Sequence, residues 1–168
     1  LLRDLIAHVR GMLDVADDCE TTLACSPVNI SISLFEALAR SRVDRLELEQ
    51  ETFDALQHLS LGQGFALGAV QDAVQVVVGS RHANFGISLL YGLEGQTATT
   101  LASSVDMCAR LGAAHVSLAP LRLTAGTAVE AAYRRRLAEK PSSPRHAYPD
   151  ERGCLALYEA GVQVLRAH

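Results

Sequence analysis

Apolar and polar residues repeat along the chain with two different periods, which predicts strands separated by helices. Strict alternation over Arg45–Glu51 (RLELEQE) predicts a strand, and apolar residues three or four positions apart over Leu1–Asp17 predict a helix. Three further strands are predicted at 20–25, 84–91 and 115–120. Further helices are predicted at 31–40, 54–59, 66–78, 97–111, 129–137 and 151–166, and a proline-rich loop at 140–149.

This order of elements predicts an α/β fold with a parallel sheet of four (β/α) units. Two architectures fit the order: a doubly wound sheet and part of a (β/α) barrel. The first strand is not followed by GxGxxG, and the chain contains no GxxxxGK[ST], so the nucleotide-binding forms of the doubly wound sheet have no support. A length of 168 residues predicts a single domain that spans 1–168.

The composition disfavours several classes of protein. Fifteen basic against nineteen acidic residues give a net charge of −4, which disfavours a nucleic-acid binder. No stretch is apolar enough to predict a membrane span. The four cysteines lack the spacing of metal ligands, so we expect reduced thiols in a cytoplasmic protein and no metal site. The chain begins without Met and ends within a helical pattern, so we expect it to be part of a longer protein.

The segment Tyr91–Thr97 (YGLEGQT) resembles the "YGLPGQT" turn of radical S-adenosylmethionine (SAM) enzymes related to oxygen-independent coproporphyrinogen III oxidase and HemW. Three flanking regions resemble the same family in the same order. Residues 20–27 are similar to "EITLEANP", residues 45–54 to "RLSLGVQSFD", and the region from 115 to 127 to "HISLY…PGT". The resemblance implies that the chain corresponds to the third to sixth strands of a six-stranded partial barrel.

The resemblance also implies a cofactor site that this chain has altered. The family binds a [4Fe–4S] cluster through CxxxCxxC and contacts SAM through a "GGGTP" turn, and both motifs are absent here. The positions that contact SAM in the family differ at five places: Ala24 replaces Glu, Glu51 replaces Gln, Gln63 replaces Arg, Ser88 replaces Asp and Ala119 replaces Tyr. We therefore expect no cluster and no SAM in this chain. The vestigial SAM region comprises Ala24, Gln63, Ser88, Gly92, Gly95 and Gln96.

The family register and the two-residue period of a strand place Glu47, Glu49 and Glu51 on the inward face, with His115 on the last strand. Stacked carboxylates repel one another, so one of them should have a raised pKa and could act as a general base or bind an ammonium group. Alternatively, this face is open to water or capped by a partner, and His115 is structural. These four residues are the catalytic candidates, whereas Cys25 is predicted to point outward.

The predicted strand at Glu20–Cys25 becomes a sheet edge if no earlier strand pairs with it. An uncovered edge invites pairing, so we expect it to be covered by an N-terminal part of the chain, a second copy or another protein. Three functions remain open. The first is a degenerate domain that serves as a subunit of a biosynthetic complex. The second is a fragment of an active radical SAM enzyme: a porphyrinogen decarboxylase, a haem-handling protein or a C-methyltransferase. The third is a SAM-independent enzyme that uses the carboxylates of the second predicted strand.

Overall fold

The computed structural model describes residues 2–38, 41–80, 84–139 and 147–168. They form a sheet of four parallel strands in the order β1-β2-β3-β4. The α/β fold with a parallel sheet is therefore confirmed, and the bounds of β2 and β4 coincide with the predicted ones. The strands are β1 (Thr22–Cys25), β2 (Arg45–Glu51), β3 (Phe85–Tyr91) and β4 (His115–Pro120).

Each predicted helix is present among the described residues. Residues 39–40 of the second predicted helix and residues 140–146 of the predicted loop lie outside the described part. The helices are α1 (Leu2–Met12), α2 (Ile32–Leu38), α3 (Ala55–Leu61), α4 (Ala69–Val78), α5 (Ala98–Arg110), α6 (Ala128–Glu139) and α7 (Glu151–Ala167), with a 3₁₀ turn at Pro27–Asn29.

Helix α1 ends five residues before its predicted end at Asp17. Only Leu2 and Ile6 pack, partly buried, against the core, whereas Met12 and Leu13 are exposed. An apolar pattern extends a helix in a protein mainly when its side chains find a packing surface. The described residues offer no such surface beyond the first two turns, so the pattern predicts a longer helix than the structure has.

The core lies on one face of the sheet, where the helices cover it. Leu46, Leu48, Ile87 and Leu89 of the two central strands are completely buried on this face. Burial of this kind is the main favourable term in folding. The helices contribute Phe35 and Leu38 from α2, Val70, Val74 and Val77 from α4, Leu101 and Val105 from α5, and Leu157 from α7.

The opposite face of the sheet carries Glu47 and Glu49, and we call it the acidic face. The strand register aligns Ala24, Glu47, Gly86 and His115 in one row across all four strands. The next row on this face joins Glu49, Ser88 and Ser117. The predicted alternation of side chains between the two faces is thus confirmed up to the row of Glu49.

Strands β1 and β4 are the edges of the sheet within the described part, as predicted for β1. The four cysteines are free thiols. Cys25 packs partly buried against the core, on the side away from Glu47, as predicted. None of the described helices is both long enough and apolar enough to cross a membrane.

Candidate functional site

Glu47 lies at the centre of the acidic face. Its side chain reaches across to β3, where the hydroxyl of Ser88 donates a 2.6 Å hydrogen bond to its Oε1. The residue is only 8% exposed. Gly86 makes this position possible, because a Cβ at residue 86 would collide with Oε2 of Glu47. In the described part of the chain, Glu47 forms no ion pair.

Glu49 is the second carboxylate of the acidic face and, unlike Glu47, it is exposed. The two are separated by two residues of a strand, which is a rise of about 6.6 Å. His115 starts β4 in the same row as Glu47, pairs in register with Gly86 and is also exposed. The structure therefore brings three of the four catalytic candidates to one open face.

Glu51 departs from the predicted alternation. The pairing of β2 with β3 shifts between Glu49 and Glu51, so that Glu51 pairs in register with Leu89, a residue of the core side. Its φ is 68°, in the left-handed region that a residue with a side chain adopts at a cost. The two-residue period that predicted three glutamates on one face is therefore interrupted before Glu51 by an irregularity of the strand.

The pKa of the Glu51 carboxyl is raised, as expected for one of the three glutamates. The main cause is burial, and the negative charge of Glu49 adds to it. A hydrogen bond from Nε2 of Gln63 opposes the shift, because it stabilises the carboxylate. The raised pKa therefore comes mainly from the low-polarity surroundings and less from the repulsion predicted from the sequence.

Replacement of Glu51 by glutamine should stabilise the protein more at pH 7 than at pH 4. The pKa of Glu51 is raised from 4.5 by folding, so the native state holds its proton more tightly than the unfolded chain. Stability then falls as the pH rises from about 4.5 through the higher native pKa, and a glutamine abolishes this fall. Thermal unfolding of both proteins at pH 4 and pH 7 measures this difference in stability. Glu159→Gln on α7 is the control for the loss of one negative charge. A larger gain in stability at pH 4 than at pH 7 would contradict the raised pKa of Glu51.

A buried polar network fixes the end of β2, next to Glu51. Gln50 is fully buried on the core side, and its Nε2 donates a 2.9 Å hydrogen bond to the carbonyl of Thr52. The Thr52 hydroxyl donates to Oε1 of Gln57 at 2.9 Å. Sequence analysis missed this network, although one signal was present: Gln50 is polar at a position where the alternation of β2 calls for an apolar side chain.

Gln96 organises the turn that carries the family resemblance. Its Oε1 accepts hydrogen bonds from the backbone N–H groups of Gly92 (2.7 Å) and Leu93 (3.3 Å), and its Nε2 donates to the carbonyl of Leu90 (3.0 Å). Gly92 and Gly95 have φ of 90° and 66°, which favours glycine. These three members of the vestigial SAM region therefore maintain the shape of the turn.

The other members of the vestigial SAM region lie apart from the turn. Gln63 contacts Glu51, Ser88 donates to Glu47, and Ala24 is exposed on β1. An ion pair outside the predicted site also reaches the turn, since Nε of Arg136 on α6 donates to Oε1 of Glu94 at 2.9 Å. Three of the six predicted residues, Gly92, Gly95 and Gln96, thus form the turn, whereas Ala24, Gln63 and Ser88 lie elsewhere on or beside the sheet.

Known proteins resemble this chain both in sequence and in fold. No family model matches it. The heme chaperone HemW of Lactococcus lactis subsp. lactis (strain IL1403) is 30% identical over 146 residues, which cover 87% of this chain and 38% of that protein. Coproporphyrinogen III oxidase (HemN) from Escherichia coli, a radical SAM enzyme, has a TM-score of 0.72 at 16% identity, covering 99% of this chain and 36% of that one.

A second solved structure shares the fold. It is the radical SAM methyltransferase TsrM from Kitasatospora setae, with cobalamin and a [4Fe–4S] cluster bound, at a TM-score of 0.61 and 16% identity over 94% of this chain and 34% of that one. The chain therefore spans little more than a third of the proteins it matches. The chain is therefore a HemN/HemW-like segment: it is similar in sequence to part of HemW, and it shares the fold of the radical SAM enzymes HemN and TsrM.

Proposed function

We propose that this chain is a degenerate HemN/HemW-type domain that works without a cluster and without SAM, as a subunit of a larger biosynthetic complex. The observation that carries the proposal is the contact between Glu51 and Gln63. In the family pattern these two positions hold a Gln and an Arg that contact SAM. Here they hold a carboxylate and a neutral amide that are bonded to each other.

The charge at this contact does not suit SAM. The carboxylate of SAM needs a cationic partner, and Gln63 supplies none. The same carboxylate would come close to Glu51, and like charges at short distance oppose binding. Gln63 is also held in place, because its Nε2 donates to Glu51 and, at 3.5 Å, to the carbonyl of Gln50.

The space on the acidic face supports the same proposal. The family motif "RLSLG" has a Ser and a Gly where this chain has Glu47 and Glu49. Both replacements are larger and charged, and the side chain of Glu47 already occupies the surface above Gly86. A ligand shaped for the family's site would meet these carboxylates.

The chemistry of the described cysteines does not favour a cluster. Burial raises the pKa of Cys25 to about 11 and that of Cys108 to about 12, whereas a thiol must lose its proton to bind iron. Cys25 and Cys108 are therefore poor ligands for a cluster.

The open edge supports the role of a subunit. Strand β1 pairs only with β2 within the described ranges, so one row of its backbone groups is left without a strand partner. Exposed apolar side chains of α1, among them Leu5 and Met12, precede the same strand in the chain. We infer that another part of the protein, a second copy or a different protein covers this edge.

The test is anaerobic reconstitution of the full-length protein with iron and sulfide, beside Escherichia coli HemN prepared in the same way. We expect neither cluster absorbance nor 5′-deoxyadenosine after SAM is added, and no SAM retained in equilibrium dialysis. Co-purification from the native source, followed by mass spectrometry, should recover a stoichiometric partner. A reconstituted cluster together with formation of 5′-deoxyadenosine would overturn the proposal.

One observation favours a second function. The sequence identity of 30% to a heme chaperone makes a segment of an active haem-handling radical SAM protein the alternative. The same reconstitution decides between them, because that protein should yield a cluster. Haem added to the purified protein gives an independent readout: a shifted Soret band with a saturable titration would favour the alternative.

A further inference from the structure

We propose that α3 is a docking surface for a basic amphipathic helix of a partner protein. In this complex Leu56 and Leu59 pack against the apolar side of the partner helix, and acidic residues near the end of β2 pair with its lysines or arginines. This inference goes beyond the proposed function and does not depend on it, because it rests on the orientation of α3 and on the charge around it.

The first observation is that α3 turns polar residues inward and leucines outward. Gln57 and His58 are only 3% and 9% exposed, whereas Leu56 and Leu59 are 67% and 77% exposed. The two leucines are three positions apart, so they are neighbours on one side of the helix. A single exposed leucine is ordinary, but an exposed apolar pair opposite buried polar residues indicates a surface that packs against another molecule.

The second observation is that hydrogen bonds hold α3 in this orientation. The side-chain amide of Gln57 accepts from the hydroxyl of Thr52 at 2.9 Å and donates to the hydroxyl of Thr100 at 3.2 Å. Nε2 of His58 donates to the carbonyl of Phe65 at 2.7 Å. A rotation of α3 that buried its leucines would break these hydrogen bonds, so the exposure of the leucines is built into the fold.

The third observation is the negative charge around α3. Between residues 46 and 80 the chain contains five acidic residues and neither lysine nor arginine. The five are Glu47, Glu49, Glu51, Asp54 and Asp72. Within the described ranges none of them forms an ion pair. This charge attracts a basic partner and disfavours an anionic membrane surface.

Carboxylates lie at both ends of α3. Asp54 caps its start, where Oδ1 accepts from the backbone N–H groups of Leu56 and Gln57, each at 3.0 Å. Glu51 lies beside its other end, because Gln63, two residues beyond the helix, donates to the Glu51 carboxylate. The exposed leucines are thus flanked by acidic groups, which matches a helix whose apolar side is flanked by lysine or arginine.

The apolar surface extends towards β1. Val28 and Ile32 are exposed and follow the carboxyl end of β1, whereas α3 follows the carboxyl end of β2. Because β1 and β2 are parallel neighbours, both apolar pairs lie at the same edge of the sheet. An elongated partner such as a helix can contact both pairs, and a small molecule cannot.

Fluorescence anisotropy of a labelled peptide with the full-length protein tests the proposal. The probe is a peptide of leucine and lysine with the leucines at helical spacing, and the matched peptide carries glutamate in place of lysine. We expect saturable binding of the basic peptide, at least about tenfold tighter than that of the acidic one. Leu59→Ser should weaken this binding about tenfold, whereas Leu155→Ser, at a site 58% exposed on α7, should leave it unchanged.

A second variant tests the charge separately from the apolar contact. Asp54→Asn keeps the helix cap, because asparagine caps as well as aspartate, and it should weaken binding of the basic peptide about threefold. Glu159→Gln on α7 is the control and should have no effect. Absence of saturable binding, or equal weakening in Leu59→Ser and Leu155→Ser, would overturn the proposal. Self-association of the protein that Leu59→Ser abolishes would also overturn it, because a second copy would then be the occupant.

Discussion

Replacement of Gln96 by alanine is expected to destabilise the protein by about 3 kcal/mol. Gln96 is 8% exposed, and its amide is the acceptor for the N–H groups of Gly92 and Leu93 and the donor for the carbonyl of Leu90. Alanine would remove all three hydrogen bonds and leave the backbone groups of a buried turn unpaired. Each unpaired buried group costs about 1–3 kcal/mol, although partial access of water reduces the sum. Urea unfolding of both proteins measures the difference.

Thr99→Ala is the matched control for this variant. Thr99 is exposed on α5, three residues beyond Gln96, and its replacement should change the free energy of unfolding by less than about 0.5 kcal/mol. If Gln96→Ala costs less than about 1 kcal/mol, the turn does not depend on this side chain. Its role would then have to be sought in the binding of a ligand, as the family resemblance first implied.

Gly161→Val on α7 is expected to destabilise the protein by about 2–3 kcal/mol. A Cβ at this position would lie 2.8 Å from Cδ1 of Leu118 on β4, and 3.6 and 3.7 Å from side-chain atoms of Leu101 and Val105 on α5. Valine adds two further methyl groups and has restricted χ1 rotamers, so α7 would have to move away from the core. Thermal unfolding, followed by circular dichroism, should show a lower Tm with an unchanged spectrum at low temperature.

Gly11→Val provides the same substitution without the packing conflict. Gly11 lies within α1, and no heavy atom would come within 4 Å of a Cβ there. Its replacement should be neutral or slightly stabilising, because valine is a better helix former than glycine. Equal Tm values for Gly161→Val and Gly11→Val would mean that α7 does not pack on β4 through residue 161.

Strands β2 and β4 were the most predictable part of the fold. Arg45–Glu51 and His115–Pro120 were predicted with the bounds that the structure has, because polar and apolar side chains alternate over most of each segment. The same alternation placed Glu47 and Glu49 on one face and Cys25 on the other. A two-residue period suffices for such assignments as long as the strand stays regular.

The prediction failed where a strand or helix depends on distant contacts. The register shift at Glu51 arises at the end of β2, where Gln50, Thr52 and Gln57 form a buried network. The ion pair between Glu94 and Arg136 joins residues 42 positions apart, which no local pattern encodes. The roles of Gly92, Gly95 and Gln96 in the turn likewise follow from backbone conformation and from hydrogen bonds in three dimensions.

The sequence by itself determined the α/β class, the order of the elements and the acidic character of one sheet face. Local periodicity and side-chain charge are sufficient for these properties. Only the tertiary structure decided that Glu47 is buried beside Ser88 above Gly86, and that Glu49 is exposed. Burial and pairing depend on which residues of the neighbouring strand lie opposite, and that register is settled by packing of the whole sheet.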